Sequence, residues 1–108
     1  MGSSEQPKME RLLAELQHPL RRELLRLTID SEPISPTELS RQVKANATLS
    51  TVACHVRVLA NLGALELVET RLSRGSTMHF YRAAGSPERA REALRLAEAQ
   101  DGTGKEIP

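Results

Sequence analysis

The sequence predicts a mainly α fold carrying one small β-hairpin, an α+β domain. Three observations predict it. Apolar residues recur at helical spacing up to Leu62, the period changes at Ala64, and helical spacing returns after Ser86-Pro87. A chain of 108 residues holds one domain with short tails. The boundaries read as a disordered N-terminus over 1–7, a single domain over 8–100 and a disordered tail over 101–108.

The elements follow in order. Residues 8–17 form a helix, with Met9, Leu12, Leu13 and Leu16 at i, i+3, i+4 and i+7. His18-Pro19 opens a second helix, since proline suits a first helical turn. Leu20, Leu24, Leu25 and Leu27 give it one apolar face up to about Asp30, and Arg21, Arg22 and Arg26 lie off that face. Ser31-Glu32-Pro33-Ile34 is a break. Ser35-Pro36-Thr37-Glu38 then starts a short helix, with Ser35 as N-cap, Pro36 in the first position and Glu38 completing a capping box. Leu39 and Val43 are its buried side. Ala45-Asn46-Ala47 reads as a turn, Thr48 caps the next helix over about 49–62, and Gly63 ends it. Two short strands, Ala64 to Leu72 and Thr77 to Ala83, surround a Gly-containing loop and form a hairpin. The last helix, over 87–100, carries Ala90, Ala93, Leu94 and Ala97 on one narrow stripe.

Composition excludes several functions. One Phe, one Tyr and no Trp cannot build the aromatic platforms on which unpaired bases stack, nor a cage for methylated cations. Adjacent Phe80 and Tyr81 point to opposite faces of a strand, so only one should pack firmly into the core. Cys54 is the sole cysteine, so no internal disulfide forms, which fits a reducing, cytoplasmic setting. No apolar run approaches membrane-spanning length, and the first residues lack the apolar stretch of a signal peptide. Net charge is only +1, but residues 18–83 hold nine Lys/Arg against six Asp/Glu, and the flanks hold six against eight. The centre is mildly basic and the flanks mildly acidic.

A short capped helix, a turn, a longer helix and a hairpin, in that order, make a helix-turn-helix with a wing. Residues 18–83 resemble the ArsR-like winged helix-turn-helix regulators of bacteria. The resemblance lies in His18-Pro19-Leu20-Arg21, in residues 34–39, in Leu49-Ser50-Thr51-Val52-Ala53-Cys54-His55-Val56-Arg57-Val58-Leu59, in Leu62-Gly63-Ala64-Leu65 and in Phe80-Tyr81-Arg82. It implies a sequence-specific, double-stranded-DNA-binding transcription regulator of the repressor type, acting as a homodimer and released by an effector whose identity the sequence does not give. The recognition helix would enter the major groove and the wing would touch the backbone or minor groove.

Physical reading of that helix agrees. Val52, Val56 and Leu59 lie within about 60° of one another and face the core, which sends Ser50, Thr51, Cys54 and Arg57 to the other side. Ser50, Thr51 and Cys54 are placed for base edges, Thr48 and Arg57 for phosphates, and Arg71 and Arg74 near the hairpin tip for backbone or minor groove. Cys54 stands where the family usually has a longer polar or aromatic residue, so direct base readout should be thin. Oxidation of an exposed Cys54 would set a bulky or charged group against phosphates. Met9, Leu12, Leu13 and Leu16, with Ala90, Ala93, Leu94 and Ala97, are the candidate dimer surfaces.

His55 should pack on the flank of the core and bond the neighbouring helix. No metal site or cofactor is expected: residues 36–44 have no Cys, residues 87–100 have no His, and Cys54 and His55 diverge by about 100° on a helix. No phosphate loop or nucleophile–base set appears, so no enzyme is expected. The alternative is a winged-helix protein-interaction adaptor without DNA binding, which the modest central charge would suit.

Overall fold

Residues 5–31, 33–44 and 46–105 are described by the computed structural model, with side chains from Met9 to Gln100. The order is α1 (Glu5–Glu15), α2 (Pro19–Asp30), α3 (Pro36–Gln42), α4 (Leu49–Asn61), β1 (Leu65–Ser73), β2 (Ser76–Ala83) and α5 (Pro87–Lys105). The α+β class is as the sequence predicts: five helices and one antiparallel pair of strands.

Caps set the helix starts. The His18 Nδ1 accepts the Leu20 N–H at 3.3 Å ahead of Pro19. The Ser35 hydroxyl accepts the Glu38 N–H at 3.3 Å ahead of Pro36, but the Glu38 side chain stays exposed and no return bond to the Ser35 N–H completes the expected capping box. Thr48 accepts the Thr51 N–H at 3.1 Å. Such caps satisfy donors that the first helical turn leaves unpaired, worth about 1 kcal/mol each. At the far end of α4, Gly63 takes φ 82°, which permits the turn into β1.

The core is aliphatic. Leu16, Leu24, Leu39, Val52, Leu59 and Ala97 are fully enclosed, and Leu20, Leu25, Ile34, Val56 and Leu65 join them. Val52, Val56 and Leu59 are the only fully buried residues of α4, as their helical spacing requires. Ile34 pairs with Tyr81 through two backbone hydrogen bonds of 2.9 Å, so the segment before α3 becomes a third, one-residue strand beside the hairpin. That bridge ties α3 to the wing.

Three expectations need correction. Arg22 is buried rather than off the apolar face, and its Nη1 donates to the Leu16 carbonyl at 2.7 Å. A guanidinium at that position satisfies a carbonyl that the end of α1 leaves open. The terminal boundaries also move, since α1 starts at Glu5 and α5 runs to Lys105, into the stretches read as disordered. The expected turn at 45–47 lies partly outside the described residues.

The proposed dimer stripes are the third correction. Leu16, Ala90, Ala93, Leu94 and Ala97 are buried within one chain, where α5 packs on α1 and α2. Two amphipathic helices flanking one domain bury their faces on each other before a second copy is needed. Met9, Leu12 and Leu13 are half-buried on the same core.

A β-bulge lies between Leu67 and Glu69. It shifts alternation by one residue, so Glu69 and Arg71 share the outer face with Phe80. Tyr81 packs on the core, whereas Phe80 is buried outside it, beneath the Arg71 guanidinium at 4.7 Å from the ring centre.

Candidate nucleic-acid interface

The exposed side of α4 is built by exclusion. With Val52, Val56 and Leu59 turned inward, Ser50, Thr51, Cys54 and Arg57 all lie exposed on the opposite side, and Leu49 is nearly half exposed at the helix start. Thr48 is spent on the helix itself. Its hydroxyl accepts from the Thr51 N–H and donates to the Thr51 hydroxyl at 3.0 Å. Thr48 thus serves first as the cap of α4, while its side chain stays exposed at the helix start. The Thr51 hydroxyl proton remains available, as does the Ser50 hydroxyl.

The wing tip is a two-residue loop. Ser73 pairs with Ser76, and Arg74 and Gly75 between them take φ 53° and 82°. Two successive positive φ angles are the sign pattern of a type I′ hairpin turn, in which Asn-Gly is favoured. Here an arginine occupies the left-handed position that an L side chain resists. Arg74 is exposed at the extreme of the hairpin, next to Leu72, which is 82 % exposed.

Ion pairing sorts the remaining cations. Arg71 bonds Glu69, Arg82 bonds Glu66 at 2.6 Å, Arg26 bonds Glu98 and Arg95 bonds Glu92. The Arg71 hydrogen bond holds the Glu69 carboxyl below its ordinary range. Arg71 is thus a partly neutralised cation lying along the wing rather than a free one at its tip. Among the described residues, the side chains of Arg41, Lys44, Arg57 and Arg74 form no ion pair, although the Lys44 backbone N–H donates to the Glu23 carboxylate at 2.6 Å, which sets an acid beside that residue. They lie at the end of α3, in the turn into α4, on α4 and at the wing tip. Arg41 and Lys44 were not picked out by pattern. Their signal was the absence of Asp or Glu between residues 39 and 65.

Behind α4, a polar cluster fixes the helix to α2. The Arg21 Nε donates to the His55 Nδ1 at 3.0 Å, and the same guanidinium pairs with Glu15 of α1. The His18 and His55 rings are 4.5 Å apart. Burial, then the neighbouring His18 and Arg21 charges, lower the His55 pKa below 6.5. This matches the expected packing role of His55. Both imidazoles accept at Nδ1, which leaves the proton on Nε2. A metal-binding Nε2 would instead need Nδ1 to carry the proton, facing an N–H donor. No group of three His, Cys, Asp or Glu side chains gathers among the described residues. Cys54 is a free, exposed thiol pointing away from this cluster.

No helix among the described residues is long and apolar enough to cross a membrane. No protein-family model matches the chain, and a search of curated proteins finds no match either.

Proposed function

We propose that the protein is a winged helix-turn-helix regulator that binds double-stranded DNA, with α4 in the major groove and the β1–β2 hairpin on the adjacent backbone or minor groove. The observation that carries this reading is the exposed face of α4, which is small and hydroxyl-bearing and carries Arg57 without an ion pair. Arg41 in α3 and Arg74 at the wing tip are likewise exposed and form no ion pair among the described residues. A helix entering the groove needs small side chains to approach base edges and cations to neutralise phosphates. Ser50, Thr51 and Cys54 offer short reach, so phosphate contact and DNA shape carry most of the affinity. Pairing of two copies, occlusion of a promoter and a bacterial cytoplasmic setting rest on the family resemblance alone.

The test is titration with random duplex DNA, followed by selection of bound sequences and footprinting. The reading expects binding at about 50 mM salt that weakens steeply as salt rises. Arg57→Ala should weaken it on every sequence and reduce the log K against log[salt] slope by about 0.9 per protomer. A specific observation favours a second reading, the interaction adaptor: Leu67, Val68 and Leu72 expose apolar surface along the wing. No DNA binding at low salt would select it.

A further inference from the structure

We propose that the groove between α1, the C-terminal end of α4 and the start of α5 is a binding site for an amphipathic carboxylate, an apolar body with one anionic head. The groove measures about 550 Å³, within the range of small-molecule sites. Leu12, Leu25, Ala64 and Ala93 supply an apolar floor, and Met9 closes one side. Among the described residues, the charged ones that line it are Arg11 and Arg89. Neither has an acidic partner among the described residues, and both are exposed. They are the two unpaired arginines outside the α4 and wing group.

Charge complementarity selects the occupant. Two arginines without ion pairs at the rim of an apolar lining disfavour a cationic guest, and a guanidinium can take a carboxylate in the fork geometry that arginine prefers. The contrast lies across the molecule. A second depression of similar size is lined by Arg22, Glu23, Arg26, Asp30, Lys44 and Glu98, where charges of both signs face one another. Its Arg26–Glu98 pair satisfies itself, so that depression calls for no ligand. The site stands whether or not α4 reads DNA, because none of its lining residues belongs to the exposed face of Ser50, Thr51, Cys54 and Arg57.

The experiment uses the full chain, 15N-labelled, titrated with decanoate below its micelle concentration, with 1-decanol as the uncharged probe. Saturable shifts of the Gly63, Gly85 and Ala90 amides by decanoate, with about tenfold weaker binding of decanol, are expected. Arg11→Gln and Arg89→Gln should each weaken decanoate about tenfold, and Arg89→Lys, which keeps the charge and loses the fork, should weaken it less than Arg89→Gln. The same spectra report whether each variant is folded. Three results would overturn the proposal: no saturable shift with decanoate, equal affinity for decanol, or affinity unchanged in both glutamine variants. So would shifts of those amides on simple dilution that decanoate does not compete with, since a second copy would then fill the groove.

Discussion

Replacing Arg74 by asparagine should make the protein more stable and a poorer DNA binder. Arg74 sits at φ 53° in the first position of the hairpin loop, with Gly75 at φ 82° after it. The left-handed region costs an ordinary L-residue about 1–2 kcal/mol, whereas asparagine enters it readily and is favoured in this turn. Arg74 is exposed and makes no ion pair, so truncating it forfeits no contact that offsets the relief. A net gain of about 0.5–1 kcal/mol follows, which for a domain of this size raises Tm by about 2–6 °C. Glycine should gain less, because it loses about 0.5–1 kcal/mol to backbone entropy. Thermal unfolding followed by far-UV circular dichroism reads the first half. Salt-dependent DNA titration reads the second, where the slope should fall by about 0.9 per protomer. Arg74→Lys is the control, keeping both the strain and the charge, and should change neither quantity much. A lower Tm for Arg74→Asn would refute the strained turn. A salt slope unchanged by asparagine would remove Arg74 from the phosphate contacts, leaving the strained cation without a purpose.

Other outcomes follow from the core and the polar cluster. Leu59→Ala, at a fully buried position of α4, should cost about 2–5 kcal/mol in denaturant unfolding; a loss below about 1 kcal/mol would mean that α4 is not anchored there. Stability should fall on acidification through His55. Its folded pKa lies below the unfolded 6.5, so its contribution is present above 6.5 and is lost as pH drops from there through the lower folded value. His55→Asn offers Oδ1 to the Arg21 Nε without titrating and should flatten that part of the curve, and an unchanged profile would assign the acid sensitivity elsewhere.

The helices and their caps were legible because their causes are local. Ser35-Pro36 and Thr48 announce starts, and the spacing of Val52, Val56 and Leu59 settles which side of α4 turns inward. Ser50, Thr51, Cys54 and Arg57 followed by elimination. What escaped depended on partners distant in sequence. Arg22 looked like a surface residue on a helical wheel, but the end of α1 offers it a carbonyl. Ala90, Ala93 and Ala97 looked like a surface awaiting a second copy, but their small side chains let α5 lie close on α1 and α2 within one chain. The bulge at Val68 has no glycine to mark it, so the face on which Arg71 emerges was unreadable until the register with Phe80 was known.

The division of arginines into paired and unpaired groups makes the salt slope a measure of how many copies engage the duplex. Net charge is +1, so the whole molecule exerts little long-range pull and local contacts must carry the electrostatic term. Four cations border α4 and the wing tip without side-chain ion pairs, and each phosphate neutralised contributes about 0.9 to the slope. Those four alone give about −4 for one protomer and about −7 for two bound together. Arg71 and Arg82 add less than free cations, because the Glu69 and Glu66 carboxylates would travel with them to the DNA surface or be released at a cost. Arg71→Ala should accordingly change the slope less than Arg57→Ala. A measured slope near −7 on a near-palindromic site would call for a pair of protomers, and since Leu16, Ala93 and Ala97 are already buried, that pair would form through surface other than these three residues, with Met9, Leu12 and Leu13 only half-buried. A slope near −4 would make the single chain the binding unit, and a slope near zero would leave the exposed Leu67, Val68 and Leu72 of the wing as the surface to pursue.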